Sequence, residues 1–302
     1  MKVTVEKQPK STLKIAITVP VEQVKETYEK TLDTVVKEAE LPGFRKGMAP
    51  REMVREKTDT SKLYGEIINT LLQTFYPQAL KENKILPVSN PKVEIREFDL
   101  AKDFEFVAVV ATRPDVKVGE YKKALKELYA NKVKQISEEN VKKLKEGEKI
   151  EEPHVHISPN DAIAEITKVT EVEIPDILIE EETNRMMARL VDQAQSIGLS
   201  LDQYLKAQNK TDTQLREDYA KLAEKSLRAE FALSYLVKEE KIGIADSEIN
   251  DAILASGQDP INFTDQVEKW YIKRVLEKNK LLSNLIEAAE IEGGRTGDHN
   301  HE

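Results

Sequence analysis

Residues 41–50, Leu-Pro-Gly-Phe-Arg-Lys-Gly-Met-Ala-Pro, place two glycines between two prolines. Glycine reaches backbone angles closed to other residues and proline fixes φ, so this stretch predicts a loop that projects a defined tip. The tip carries Phe44 beside two cations, Arg45 and Lys46. Arginine and lysine suit phosphate or carboxylate oxygens, and an aromatic ring fills an apolar pocket or stacks. The alternative is an ordinary connection between helices with Phe44 tucked into the core.

The segments on both sides of this loop predict a compact α+β domain over residues 1–114. Polarity alternates around a turn at residues 8–11, which predicts a hairpin, and apolar residues at helical spacing follow it. The predicted elements are a hairpin over residues 3–19, helices over 21–40, from 51 and over 61–83, and strands over 92–98 and 103–112. The order strands, helices, strands is typical of an α+β domain, which ends at the Arg113-Pro114 step.

The rest of the chain predicts helices. Residues 115–170 are rich in Lys and Glu, with Tyr121 and Tyr129 as their aromatic residues, and predict a helical linker with a short strand over 162–169. Residues 171–291 predict an all-α domain of long helical hairpins, with helices over 175–197, 201–208, 212–240, 246–255 and 264–289. The last residues, 292–302, have no apolar anchor and predict a disordered tail.

Composition excludes several classes of function. The chain has no cysteine, which excludes disulfide scaffolds, thiolate zinc sites and a cysteine nucleophile. The longest apolar run, residues 106–111, is too short for a membrane span, and the charged start does not resemble a signal peptide. Neither histidine pair, 154/156 or 299/301, has the spacing that places two ligands on one helical face. No phosphate loop or hydrolase motif is present, so we expect no cofactor, no metal and no membrane partner.

Charge is unevenly distributed along the chain. Residues 1–114 carry 19 Lys and Arg against 17 Asp and Glu, residues 115–150 carry 10 against 7, and residues 151–302 carry 17 against 31. A mildly basic front can meet an anionic surface while an acidic rear keeps the molecule in solution. A charge drift without functional meaning is the alternative.

The loop resembles the ribosome-docking signature of bacterial trigger factors. The resemblance rests on Gly43, Phe44, Arg45, Lys46, Gly47 and Pro50, placed between two predicted helices behind an N-terminal hairpin. It implies that these residues bind the large ribosomal subunit, through ribosomal protein and rRNA, beside the exit of the nascent-chain tunnel. Met48 departs from the pattern, in which this position is usually basic.

A second resemblance begins at Ile174. The segment Ile174–Glu182, with the pattern Ile-Pro-x-x-Leu-Ile-x-x-Glu, is similar to the start of the trigger factor C-terminal chaperone domain. Trigger factors usually carry an FKBP-type prolyl isomerase domain between these two parts, with a sheet around an aromatic-lined pocket. Residues 115–170 contain no Trp and no Phe, so we expect this domain to be missing and the protein to lack an enzyme active site. The resemblance covers roughly residues 1–114 and 171–291.

The resemblance implies an ATP-independent, cytoplasmic chaperone that holds unfolded or nascent polypeptides and that forms a homodimer when free. Methionine is flexible and polarizable, so apolar residues that include a methionine pair suit varied partners. The candidate client-binding residues are Met186, Met187, Leu190, Leu227, Phe231, Leu233 and Tyr271. The alternative is that these side chains form the core of the helical domain.

Two other functions remain open from the sequence. One is a free holdase or assembly chaperone that does not use the ribosome, which ribosome co-sedimentation distinguishes. The other is a prolyl isomerase with a divergent site in residues 115–170, which a peptide isomerisation assay distinguishes.

Overall fold

The computed structural model describes residues 1–145, 155–260, 263 and 265–295. The chain forms two compact units. The first contains Met1–Pro114 and Pro175–Glu181, and the second contains Asp115–Ile174 and the chain from Glu182 onward. The first is an α/β unit and the second is mostly helical, which confirms the predicted fold class.

The first unit contains one antiparallel sheet. Its strands are β1 (Lys2–Gln8), β2 (Thr12–Val19), β3 (Lys92–Ile95) and β4 (Phe104–Ala111). They lie in the order β1-β2-β4-β3, so β2 and β4 are central. The β1–β2 hairpin turns at Lys10 and Ser11, whose φ angles of 55° and 50° suit the turn type that matches the twist of a hairpin. The sheet thus contains the predicted hairpin, as β1 and β2, and both later predicted strands, as β3 and β4.

Three helices accompany this sheet: α1 (Val21–Glu38), α2 (Arg51–Lys57) and α3 (Thr60–Glu82). Asp59 caps α3, because its carboxylate accepts a hydrogen bond of 2.9 Å from the backbone N–H of Ser61. Alternate residues of the central strands pack with one face of α1 and α3. The largest fully buried members of this core are Ile15, Ile17, Ile67, Leu71, Phe104 and Phe106.

The second unit has a short antiparallel strand pair and several helices. The strands are β5 (Val116–Val118) and β6 (Thr170–Val172), and the helices are α4 (Tyr121–Lys145), α5 (Pro159–Lys168), α6 (Asp176–Ser196), α7 (Leu201–Gln208), α8 (Asp212–Glu239), α9 (Asp246–Ala255) and α10 (Gln266–Arg295). Helix α6 begins in the first unit. Ser200 and Thr211 form capping boxes at the starts of α7 and α8.

The interpretation of residues 115–170 as a linker is wrong. Leu125 of α4 and Ile166 of α5 are fully buried against Leu236 of α8 and Leu281 of α10. A linker is solvated on all sides, whereas these helices supply part of the main core of the second unit. The described residues of this segment are therefore an integral part of the helical unit.

The strand predicted over residues 162–169 is helix α5 instead. The Ser158 hydroxyl accepts a hydrogen bond of 3.1 Å from the backbone N–H of Asp161, and Pro159 occupies the first helical position. Both features start helices. Ala162 and Ile166, one turn apart, then face the core together.

The predicted domain border at residue 171 also differs from the structure. The start of α6 belongs to the first unit, where Lys10 lies 2.7 Å from Asp176 and Lys92 lies 3.2 Å from Glu180. The predicted tail over residues 292–302 begins inside α10, which continues to Arg295. Residues 296–302 lie outside the described residues.

Candidate functional site

The loop between α1 and α2 consists of two consecutive tight turns. The backbone N–H of Phe44 donates a hydrogen bond of 3.0 Å to the Leu41 carbonyl, and the N–H of Met48 donates one of 2.9 Å to the Arg45 carbonyl. The third residue of each turn is a glycine with positive φ, 89° at Gly43 and 75° at Gly47. This is the pattern of type II turns, in which the third residue needs positive φ. The sequence therefore sets the shape of the tip.

The second turn is fixed against the end of α1. The Gly47 N–H donates a hydrogen bond of 3.1 Å to the Ala39 carbonyl. A Cβ atom at Gly47 would lie 2.7 Å from the Lys37 carbonyl oxygen, which is closer than atoms can approach. Ala49, two residues on, is 5% exposed and secures the other end of the turn. Only glycine at position 47 allows this close approach.

The loop exposes to solvent the side chains predicted to bind a partner. Phe44 is 40% exposed, so its ring is not packed in the core, and Arg45 and Lys46 are exposed beside it. Met48 is 71% exposed. Pro50 stands directly before α2, where its fixed φ suits the helix start. The structure brings the six predicted docking residues into one short loop.

The loop cations differ in their partners. The Lys46 ammonium lies 3.8 Å from Glu40, and Arg51 at the start of α2 pairs with Glu29 and with Asp33 of α1. Within the described residues, Arg45 has no acidic partner. Its guanidinium is thus the loop charge most available to an outside carboxylate or phosphate.

Three of the predicted client-binding residues are core residues. Met187 and Leu190 are buried with Leu215 of α8, and Leu233 is buried in the main core of the second unit. Helical spacing marks an apolar face, but these faces are covered by neighbouring helices. Their assignment to a client surface is therefore corrected. Met186, Leu227 and Phe231 are half-buried, and Tyr271 is 63% exposed.

Tyr271 belongs to an exposed apolar stripe on α10 that the sequence interpretation missed. The stripe consists of Val267, Trp270, Tyr271 and Val275, all exposed, with Trp270 at 61%. The spacing i, i+3, i+4 and i+8 places these residues on one side of the helix. The signal in the sequence was the single tryptophan of the chain next to Tyr271.

The opposite side of α10 packs against α9. Ile272 and Leu276 contact a small core of Ile249, Ile253 and Phe263, so the helix is anchored through the face that does not carry the stripe. The Arg274 guanidinium lies 5.6 Å from the centroid of the Trp270 ring and 3.1 Å from the Glu277 carboxylate. A cation that is held in this way favours one position of the indole.

A group of ionisable residues in the second unit has a structural role. The Tyr121 hydroxyl donates a hydrogen bond to Glu240, and the Lys122 ammonium lies 2.7 Å from the same carboxylate. The hydrogen bond from Lys122, followed by that from Tyr121, lowers the pKa of Glu240. Burial, followed by the contact with Glu240, raises the pKa of Tyr121. Glu240 stays ionised and Tyr121 neutral near pH 7, so neither group is suited to exchange a proton.

The described part of the chain offers no group of three His, Cys, Asp or Glu residues that could hold a metal ion. His156 Nδ1 lies 3.5 Å from a Glu290 oxygen, whereas His154, His299 and His301 lie outside the described residues. Among the described helices, none combines the length and the apolar composition that crossing a bilayer requires.

Both units match models of the same protein family. Residues 1–150 match the family model of the bacterial trigger factor protein, and residues 117–292 match that of the bacterial trigger factor C-terminus. The two matches include the segment 115–145, which the structure places in the helical unit. The matches thus cover almost the whole described chain.

Curated relatives are trigger factors that are longer than this chain. The protein from Staphylococcus carnosus strain TM300 is 36% identical over 108 residues, which are 36% of this chain and 24% of the relative. The protein from Desulforamulus reducens is 38% identical over 122 residues, 40% and 28% of the two chains. The protein from Clostridium botulinum strain Hall is 34% identical over 167 residues, 52% and 39% of the two chains. The matched region spans well under half the length of each relative.

A solved structure has a similar fold. It comes from work on promiscuous substrate recognition in folding and assembly activities of the trigger factor chaperone, and it aligns with a TM-score of 0.63 over 96% of this chain and 100% of that one. The two sequences are 13% identical, so the similarity shows a common fold.

Proposed function

The chain belongs to the bacterial trigger factor family, and on that premise we propose that it is an ATP-independent chaperone that binds the large ribosomal subunit near the tunnel exit and holds nascent polypeptides. The observation that carries the proposal is the loop at residues 41–50. Two glycine-dependent turns fix its backbone and leave Phe44, Arg45 and Lys46 exposed. A rigid tip loses little conformational entropy on binding, which favours a defined docking contact.

The docking contact is tested by replacing Phe44, Arg45 and Lys46 together with Ala in the full chain. We expect co-sedimentation with ribosomes to be lost, while circular dichroism and the melting temperature stay unchanged, because exposed loop residues contribute little to stability. A matched control replaces Leu86, Arg96 and Lys102 with Ala. These residues are exposed elsewhere in the same unit, and the control variant should bind ribosomes like the parent. Sedimentation of the loop variant at the level of the parent would overturn the proposal.

The holding surface in this proposal is the stripe on α10. It leaves two aromatic and two aliphatic side chains in contact with water, and an exposed apolar patch attracts the apolar segments of a non-native chain. Each such contact contributes on the order of 1 kcal/mol, so several of them retain a client that can still exchange. Binding and release of this kind need no nucleotide.

The proposal assigns no prolyl isomerase activity to the chain. It is supported by the packing of α4 and α5 with α8 and α10, which uses the described residues of 115–174 for a helical core and one strand pair rather than for a sheet around a pocket. An assay on Xaa-Pro peptides is expected to show no acceleration above background. An acceleration that a substitution in residues 115–174 removes would contradict it.

The proposed setting is the cytoplasm, with the ribosome and unfolded chains as partners. Self-association of the ribosome-free protein as a homodimer belongs to the same proposal. Sedimentation velocity over a range of protein concentrations tests it, and a monomer at every concentration would exclude the dimer.

A further inference from the structure

Met48 is the one exposed methionine of this chain. Of the five methionines, Met1, Met53 and Met186 are half-buried and Met187 is buried, whereas Met48 is 71% exposed. We propose that Met48 is an apolar anchor of the docking loop, which enters an apolar pocket on a protein component of the docking partner. This inference rests on the proposed function and names the chemistry of its contact.

The backbone holds the Met48 side chain in solvent. Its N–H is bound to the Arg45 carbonyl at 2.9 Å, and the next residue, Ala49, is buried. The backbone of the residue is thus fixed on both sides, and its side chain stands 71% exposed. An apolar side chain that is kept in water by a rigid turn gains free energy when a partner covers it.

The charges around the tip favour a protein pocket over nucleic acid. Lys46 lies near Glu40, and Arg51 pairs with two carboxylates of α1, so acidic groups of the same unit offset both cations. A surface that binds a phosphate backbone gains its affinity from unpaired cations. Within residues 41–50, Phe44 and Met48 are two exposed apolar side chains, and Arg45 is the one cation without an acidic partner. An apolar centre with one charge is typical of an anchor at a protein–protein interface.

The test compares two substitutions of Met48 in the full chain. Met48→Ser removes the apolar side chain, and Met48→Lys replaces it with a cation. We expect Met48→Ser to weaken ribosome binding by about 5- to 20-fold, and Met48→Lys to weaken it at least as much at every salt concentration. Leu86→Ser, at a residue that is 83% exposed outside the loop, is the matched control and should bind like the parent.

The sign of the Met48→Lys effect decides between the two kinds of partner surface. If Met48 faces rRNA, the added cation strengthens binding at low salt and steepens the salt dependence by about one charge, which would overturn the inference. Unchanged binding of Met48→Ser would overturn it as well. Failure of the parent protein itself to bind ribosomes would instead reject the proposed function, so the two failures are distinguishable.

Discussion

Gly47 shows how one residue sets the geometry of the loop at residues 41–50, the proposed docking loop. Its positive φ of 75° is needed for the turn, and its missing side chain lets the end of α1 approach. The neighbouring Gly43 also has positive φ, but no atom lies within 4 Å of the position that a Cβ would take there. Gly47 is therefore constrained twice, by backbone angle and by contact.

We expect Gly47→Ala to destabilise the protein by roughly 1–3 kcal/mol and to weaken ribosome binding, because the Lys37 carbonyl is backbone and cannot move aside. Gly65→Ala is the control. Gly65 lies inside α3 with no atom within 4 Å of a Cβ, so alanine there should stabilise by about 0.5–1 kcal/mol. Urea unfolding measures both. Equal stability of Gly47→Ala and the parent would contradict the account of this turn.

The two faces of helix α10 differ in burial. One face is fixed to α9 through Ile272 and Leu276, and the other exposes the stripe. The α6 helix, which also carries apolar residues at helical spacing, is different, because α8 covers Met187 and Leu190. Similar sequence patterns thus give a surface on one helix and a core on the other.

Replacing Trp270 and Tyr271 with Ser should reduce the suppression of aggregation of a model unfolded protein several-fold, with little change in melting temperature, since both side chains are exposed. The control, Ile197→Ser with Leu222→Ser, removes two exposed apolar side chains, one from the turn after α6 and one from α8, and should have a smaller effect.

The substitution Met187→Glu changes a buried side chain of α6, in contrast to the exposed side chains of the α10 stripe. It should lower the stability by a few kcal/mol, because it buries a charge. If the Trp270 and Tyr271 variant suppressed aggregation as well as the parent, the stripe would not be the holding surface. A Met187→Glu protein as stable as the parent would contradict the assignment of that residue to the core.

For the whole molecule, the two proposed binding sites lie in separate units. The docking loop lies in the first unit and the α10 stripe in the second, and each unit has its own core. Substitutions of exposed residues in units with separate cores should have independent effects.

We therefore expect a double dissociation in the full chain. The variant with Ala at Phe44, Arg45 and Lys46 should keep its suppression of aggregation while losing ribosome binding, and the Trp270 and Tyr271 variant should show the reverse. Co-sedimentation and light scattering measure the two activities. Loss of both activities in either variant would contradict independent sites. Suppression of aggregation by a parent protein that does not itself bind ribosomes would favour a free holdase whose loop has another use.

Local sequence determined the features that depend on few neighbours. The turns of the loop follow from Pro42, Gly43 and Gly47, because positive φ and fixed φ are properties of these residues themselves. The helices and strands of the first unit follow from periodicity in the same way. The start of α5 is also encoded locally, in Ser158 and Pro159, although the following residues favour a strand by their alternation.

Only the tertiary structure decided which apolar faces are covered. Periodicity shows that a helix has an apolar side, but the partner that covers this side comes from a distant part of the chain. Helices α4 and α5 became part of a core because α8 and α10 pack against Leu125 and Ile166. Leu233 was likewise buried by other helices, while no described residue covers Trp270 and Tyr271 enough to remove them from solvent. Burial depends on contacts between residues far apart in sequence, and a single sequence does not specify which of them form.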